Sequence, residues 1–177
     1  MAGKIRLASV LLIGTVLCCA GCQSSEPEWP RIAQPIPAPD FHLEQLDGGT
    51  VALSDYHGKI VLIEFWATWC GPCRSSMPSL EHIYRRFQNR GVQLLFINEG
   101  ENPQTMRRWL GKRFTARILL DSDQQVARRY QVPGLPSLFI VDPNGDIVYV
   151  RSGYRGGLER SLTRVLEKLL NPQAVGS

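Results

Sequence analysis

The chain has 177 residues, of which 44% are hydrophobic and 20% charged, an ordinary composition for a folded protein that does not indicate disorder. The net charge is only +4, and no basic run is interleaved with aromatic residues, so nucleic acid is not an expected partner. The length suits one globular domain with additional segments.

The N-terminus has the pattern of an export signal. Lys4 and Arg6 precede an uncharged apolar run that is shorter than the roughly 20 residues of a membrane span. Small residues then lead into Cys22, which resembles a bacterial lipobox, although Cys19 stands where leucine is usual. We expect a signal peptide over residues 1–21 and lipidation of Cys22. An uncleaved N-terminal anchor is the alternative, and both predict a domain outside the cytoplasm.

Residues 22–39 are predicted to be a lipidated cysteine followed by an extended tether. Five prolines fall in this segment, and proline removes backbone donors and favours extended chain. No internal repeat is found, and the folded domain is predicted over residues 40–172.

The domain alternates apolar runs with helical patterns. A turn at Asp47-Gly48-Gly49 precedes the first strand, Asn144-Gly145 indicates a β-hairpin, and the final helix has one apolar face. The predicted elements are strands at 50–53, 60–66, 92–98, 117–120, 137–141 and 147–151, and helices that end at 89, 112, 130 and 170. This order predicts an α/β protein in which helices flank both faces of a mixed central sheet.

Two cysteines carry the chemistry of the domain. Cys70 and Cys73 are the only cysteines beyond the export segment, so they make neither a disulfide framework nor a complete zinc site. They lie where the apolar strand 60–66 gives way to a helix, and a helix N-terminus stabilises a thiolate. Pro72 fits the first helical turn. We predict that Cys70 is the exposed attacking thiol and that Cys73 is the buried thiol that resolves a mixed disulfide.

The segment from Glu64 to Arg74, with sequence EFWATWCGPCR, resembles the active-site segment of thioredoxin. The wider pattern resembles the TlpA/ResA branch of membrane-tethered thioredoxin-like proteins over roughly residues 38–170, through PDF at 39–41, LSD at 53–55, MP at 77–78, LPS at 135–137 and IVDPNG at 140–145. The branch often has glutamate where this chain has Ser76, and often has asparagine where it has Glu64. Glu64 instead matches the buried acid of thioredoxin.

The resemblance implies a thioredoxin fold with an N-terminal β extension. It implies a protein-disulfide reductase of the cell envelope that is recharged by a membrane-embedded donor of reducing equivalents. Its clients would be apocytochrome c or other envelope thiol proteins. The Gly-Pro dipeptide between the cysteines matches thioredoxin, a strong reductant with a potential of about −270 mV.

Further site residues follow from the segment 64–74 and from the LPS motif at 135–137. Burial in an apolar strand should raise the pKa of Glu64 toward neutrality, which suits a proton acceptor for Cys73. Pro136 resembles the cis-proline that faces the cysteines in this fold. The residues expected to meet the substrate are Trp69, Gly71, Pro72 and Leu135. Trp66 is predicted to lie in the core.

Two other functions remain open. A thiol peroxidase shares the opening Pro-Asp-Phe, but its motif needs proline and Thr/Ser where this chain has Ile63 and Ala67. A metallochaperone or binding module on the same fold is the non-enzymatic alternative. The three histidines are scattered, so no metal and no cofactor is expected.

Overall fold

The computed structural model describes residue 29 and residues 31–171. The predicted signal peptide and Cys22 lie outside these residues. The strands are β1 (Arg31–Pro37), β2 (His42–Gln45), β3 (Thr50–Ala52), β4 (Ile60–Trp66), β5 (Val92–Glu99), β6 (Arg117–Asp121), β7 (Ser137–Val141) and β8 (Asp146–Ser152). The helices are α1 (Gly71–Phe87), α2 (Pro103–Leu110), α3 (Gln125–Arg129) and α4 (Leu158–Leu170). In this described part, no helix is both long enough and apolar enough to cross a bilayer.

The strands form one mixed sheet in the order β1-β8-β7-β4-β5-β6-β2-β3. The central strand β4 pairs in parallel with β5 and antiparallel with β7. The hairpin predicted at Asn144-Gly145 connects β7 to β8. The mixed sheet and the thioredoxin-like fold predicted from the sequence are confirmed.

Residues of β4 alternate between the two faces of the sheet, as side chains of a strand must. Leu62 and Trp66 belong to the apolar cluster that contains α1, α2 and α4. Ile63 and Phe65 belong to the second cluster, on the face covered by α3. Glu64 has the parity of Leu62 and Trp66, so β4 directs its side chain toward α1. Trp66 is fully buried, as predicted.

The N-terminal segment departs from the sequence-based expectation of a tether through residue 39. Residues Arg31–Pro37 form β1, which pairs antiparallel with β8 at the edge of the sheet. Its prolines are tolerated because an edge strand leaves one row of backbone groups without a ladder partner. Trp29 is buried, and its indole N–H donates to Ser161 Oγ at 3.1 Å. The extended tether therefore does not include residues 31–37.

Candidate active site

The two cysteines meet at the start of α1. The chain leaves β4 at Trp66, and α1 begins at Gly71 with Cys70 as its N-cap. Cys70 and Cys73 form a disulfide, with their Cα atoms 5.3 Å apart. The backbone N–H of Cys73 donates to Cys70 Sγ at 3.1 Å. A free N–H at the N-terminus of a helix is a donor that would also stabilise a thiolate on Cys70.

The exposure of the two cysteines differs less than the sequence predicted. Cys70 has 4% of its surface exposed and Cys73 has none. Cys70 is slightly more exposed than Cys73, as expected for an outer and an inner sulfur. The prediction that Cys70 is exposed is wrong for the disulfide form. The bond to Cys73 holds the outer sulfur against the first turn of α1, where surrounding atoms cover it.

The residues predicted to face the substrate differ in exposure. Trp69 has 68% of its surface exposed, which is unusual for a large aromatic side chain. Gly71 and Pro72 are exposed in the first turn of α1, Leu135 is half-buried, and Pro136 is buried. The Leu135–Pro136 peptide is cis, the only such bond among the residues described.

Glu64 is buried in β4 and contacts α1 through Ser76. It is 1% exposed, and Ser76 Oγ donates to its Oε1 at 2.5 Å. The other oxygen, Oε2, has no hydrogen-bond partner within the part of the chain that the structure describes. Burial raises the pKa of the Glu64 carboxyl to about 8, and the hydrogen bond from Ser76 partly opposes that rise.

Glu64 and the cis-proline loop are brought together by the fold. Glu64, Ser76 and Pro136 line the same narrow cavity, and the titratable side chains of Arg151 and Tyr154 also line it. Its volume is about 10 Å³, close to the room that one water molecule needs. Residues far apart in the sequence therefore line one small cavity.

A carboxylate that the sequence analysis did not single out holds the loop before Cys70. Glu101 accepts hydrogen bonds from the backbone N–H of Thr68 at 2.6 Å, from Thr68 Oγ1 at 2.5 Å and from Asn98 Nδ2 at 2.7 Å. Asn98 Oδ1 in turn accepts from the backbone N–H of Glu101 at 3.1 Å. These bonds join the active-site loop to the C-terminal end of β5. No local sequence pattern marks Glu101, because its partner lies 33 residues away.

No group of three or more histidine, cysteine, aspartate or glutamate side chains in residues 31–171 could hold a metal ion. The fold and the Cys70–Cys73 disulfide define a protein of the thioredoxin-like class.

Comparison with known proteins identifies the family. Residues 36–150 match the AhpC/TSA family, and the chain belongs to it. The chain is 37% identical over 119 residues to the thiol-disulfide oxidoreductase ResA of Bacillus subtilis, a match that covers 66% of this chain and 65% of the relative. The chain thus spans slightly less than two thirds of that relative's length.

Solved structures share the fold. A Chlorobium tepidum protein proposed to be the thiol:disulfide interchange protein DsbE has a TM-score of 0.74 and 30% identity, covering 78% of this chain and 99% of that one. The exposed lipoprotein thioredoxin Etrx1 of Streptococcus pneumoniae has a TM-score of 0.66 and 25% identity, covering 74% of this chain and all of that one.

Proposed function

We propose that the protein reduces disulfides of client proteins outside the cytoplasm. The observation that carries the proposal is the Cys70–Cys73 disulfide at the N-terminus of α1, with the buried Glu64 on the adjacent face of β4. The names of the relatives agree with thiol–disulfide exchange. The reducing direction rests on the Gly71-Pro72 dipeptide, which matches thioredoxin.

The reaction begins when the Cys70 thiolate attacks one sulfur of a client disulfide. The client disulfide breaks, one client sulfur leaves as a thiolate, and the other is bound to Cys70. Glu64 takes the proton of the Cys73 thiol. The Cys73 thiolate then attacks Cys70 Sγ, which forms the intramolecular disulfide and releases the second client thiolate. Two electrons have moved from the protein dithiol to the client.

The loop around Pro136 and the ring of Trp69 supply the surface that meets the client. Trp69 exposes a large apolar area beside the cysteines, and such an area is typical of a contact surface. The resemblance to the thioredoxin active site implies that the backbone of the half-buried Leu135 pairs with an extended client segment. Gly71 and Pro72 form the exposed turn between the two sulfurs.

We further propose that a lipid on Cys22 tethers the domain to the membrane. The basic N-terminal residues, the short apolar run and the small residues before Cys22 support this, and one similar structure is that of a lipoprotein. A membrane-embedded donor of electrons would regenerate the dithiol, because each turnover leaves the disulfide form. Envelope thiol proteins such as apocytochrome c would be the clients.

Reduction of insulin disulfides by the purified protein tests the activity, with dithiothreitol as the donor of electrons. We expect turnover for the wild type and none for Cys70→Ser or Cys73→Ser. Cys22→Ser is the matched control and should leave turnover unchanged, because Cys22 is proposed to carry the lipid and has no proposed part in disulfide exchange. Turnover that persists in Cys70→Ser would contradict the proposed chemistry.

The direction is tested by redox titration against glutathione. We expect a potential near that of thioredoxin, about −270 mV, whereas a value above about −180 mV would indicate an oxidant or isomerase. In cells, Cys73→Ser should accumulate a disulfide-linked client on Cys70. Peroxide consumption that depends on Cys70 would favour the peroxidase alternative instead.

A further inference from the structure

The hydroxyl of Ser76 has two partners and one proton. Its Oγ lies 2.5 Å from Glu64 Oε1 and 3.1 Å from the backbone carbonyl oxygen of Cys73. Both partners are able to accept, but a hydroxyl donates only one hydrogen bond and accepts up to two. The hydroxyl therefore serves one of them at a time as a donor.

The protonation state of Glu64 decides which partner receives the proton of the hydroxyl. When Glu64 is ionised, Ser76 donates to the carboxylate, because a charged acceptor forms the stronger bond. When Glu64 is protonated, its O–H donates to Ser76 Oγ, and the hydroxyl turns to the carbonyl oxygen of Cys73. In both states Ser76 and Glu64 stay hydrogen-bonded to each other, and the carbonyl oxygen of Cys73 accepts from the hydroxyl only when Glu64 is protonated.

Ser76 is also the polar contact that positions the acid. Among the described residues it is the one hydrogen-bond partner of the Glu64 carboxyl, since Oε2 has none. Ser76 is itself 2% exposed, so water does not replace it freely. It lies three residues after Cys73, which places it one helical turn along α1 from the inner sulfur.

We propose that Ser76 is a positioning residue for the second half of the reaction: its hydroxyl holds the Glu64 carboxyl against the first turn of α1 and reverses its hydrogen bond as Glu64 gains or loses the proton of Cys73. This inference rests on the proposed role of Glu64 as proton acceptor. The proton leaves Cys73 Sγ and bonds to a Glu64 oxygen. The Cys73–Cys70 bond then forms as the bond from Cys70 to the client sulfur breaks.

The test compares Ser76→Ala, which removes the hydroxyl, with Ser76→Thr, which keeps it. Ser75→Ala is the matched control, because Ser75 is the neighbouring serine and is exposed. The pKa of Glu64 is read from its carboxyl carbon by NMR titration of the full-length oxidised protein, with Glu64→Gln identifying the signal. The rate of mixed-disulfide resolution is measured over the same pH range.

We expect Ser76→Ala to raise the pKa of Glu64 by about one unit, a tenfold change in proton affinity, because the ionised form loses its charge-assisted bond. The pH midpoint of resolution should move upward with it. Ser76→Thr and Ser75→Ala should keep the wild-type midpoint. Circular dichroism shows whether Ser76→Ala is folded. If it is not, Ser76→Thr decides: a shift in the pH midpoint of resolution in that variant overturns the role of the hydroxyl.

The two proposals fail in different ways. If Glu64→Gln leaves the rate of resolution and its pH profile unchanged, Glu64 is not the acceptor and the proposed function loses that step. A second outcome separates the two roles. If Glu64→Gln abolishes the pH dependence of resolution while Ser76→Ala changes neither the pH midpoint nor the pKa of Glu64 measured by NMR, Glu64 remains the acceptor and the role of Ser76 is overturned.

Discussion

At the scale of single residues, Glu64 stands out because a buried ionisable group lowers the stability of the fold. It is a carboxyl group in the middle of the strand at the centre of the sheet, with every neighbour in β4 buried. An ionised carboxylate there is costly unless it is neutralised or hydrogen-bonded. The molecule supplies one hydrogen bond, from Ser76, and leaves the other oxygen without a partner in the described residues. This arrangement costs stability, and it is the environment that the proposed proton acceptor requires.

Replacing Glu64 with glutamine should therefore stabilise the protein, and the gain should depend on pH. The pKa of Glu64 rises from 4.5 to about 8 on folding. Between these values the folded state holds a proton that the unfolded state has lost, so the wild type loses stability as pH rises. We expect Glu64→Gln to gain ~5 kcal/mol in the free energy of unfolding at pH 9 and little at pH 4.

Urea unfolding at the two pH values measures this gain. Glu44→Gln is the control, because Glu44 is an exposed residue of β2 and its replacement should change little at either pH. The same gain for Glu64→Gln at pH 4 and pH 9 would mean that its ionisation is not what costs stability.

At the level of elements, α1 is joined to the rest of the molecule at two points, by a disulfide and by hydrogen bonds to Glu81. At its N-terminus the disulfide joins it to the loop after β4. Further along, the largely buried Glu81 accepts hydrogen bonds from the backbone N–H of Thr115 at 2.9 Å, from Thr115 Oγ1 at 2.5 Å and from the backbone N–H of Ala116 at 3.2 Å. Arg85 pairs with the same carboxylate at 2.8 Å. Glu81 thus fastens the segment before β6 to the helix that carries the active site.

Glu81→Gln should lower the free energy of unfolding by ~2 kcal/mol at pH 7, because the amide brings an N–H group among donors that need an acceptor. Burial alone would raise the pKa of Glu81, but the bonds from Thr115, Arg85 and Ala116 outweigh it and lower the pKa. The stabilisation is complete above the unfolded value of 4.5 and is lost as pH falls through the folded pKa.

Chemical denaturation of Glu81→Gln and wild type across acid and neutral pH tests this. The difference between them should shrink toward acid pH. The exposed Glu44→Gln again provides the baseline. A difference that grows toward acid pH would contradict the assignment.

At the level of the whole molecule, the N-terminal segment is part of the fold. Strand β1 covers the edge of β8, and unpaired sheet edges promote aggregation. Trp29 adds an edge-to-face contact with Tyr149 at 6.5 Å, and the Arg151 guanidinium lies 5.2 Å from its ring centre. The region that leads toward the proposed membrane anchor is therefore joined directly to the sheet and to α4.

A chain that begins at residue 40 should be less stable than one that begins at residue 24. Loss of the buried indole alone is expected to cost ~3 kcal/mol, and the newly exposed edge of β8 should favour self-association. Thermal unfolding and size-exclusion chromatography measure the two effects. Trp29→Ala in the longer chain separates the indole from the strand, and Ile36→Ala, at a residue that is 52% exposed, is the matched control. Equal stability of the two chains would show that β1 contributes nothing.

The sequence by itself determined the redox pair, its position between β4 and α1, the mixed sheet and the β7–β8 hairpin. These features follow from local rules: alternation within a strand, the turn preference of Asn144-Gly145, and the affinity of a helix N-terminus for negative charge. The resemblance of the segment 64–74 to thioredoxin pointed to Glu64 and, with the later LPS motif, to Pro136.

Contacts between residues that are distant in the chain could be seen only in the folded molecule. Ser76 reaches Glu64 from 12 residues away, Glu101 reaches Thr68 from 33, and Trp29 reaches Ser161 from 132. The structure was also needed to see that residues 31–37 form an edge strand and that Cys70 is buried in the disulfide form. Such contacts depend on how the sheet and the helices pack together. Packing determines which distant residues lie close to a side chain, and the residues beside it in the chain do not.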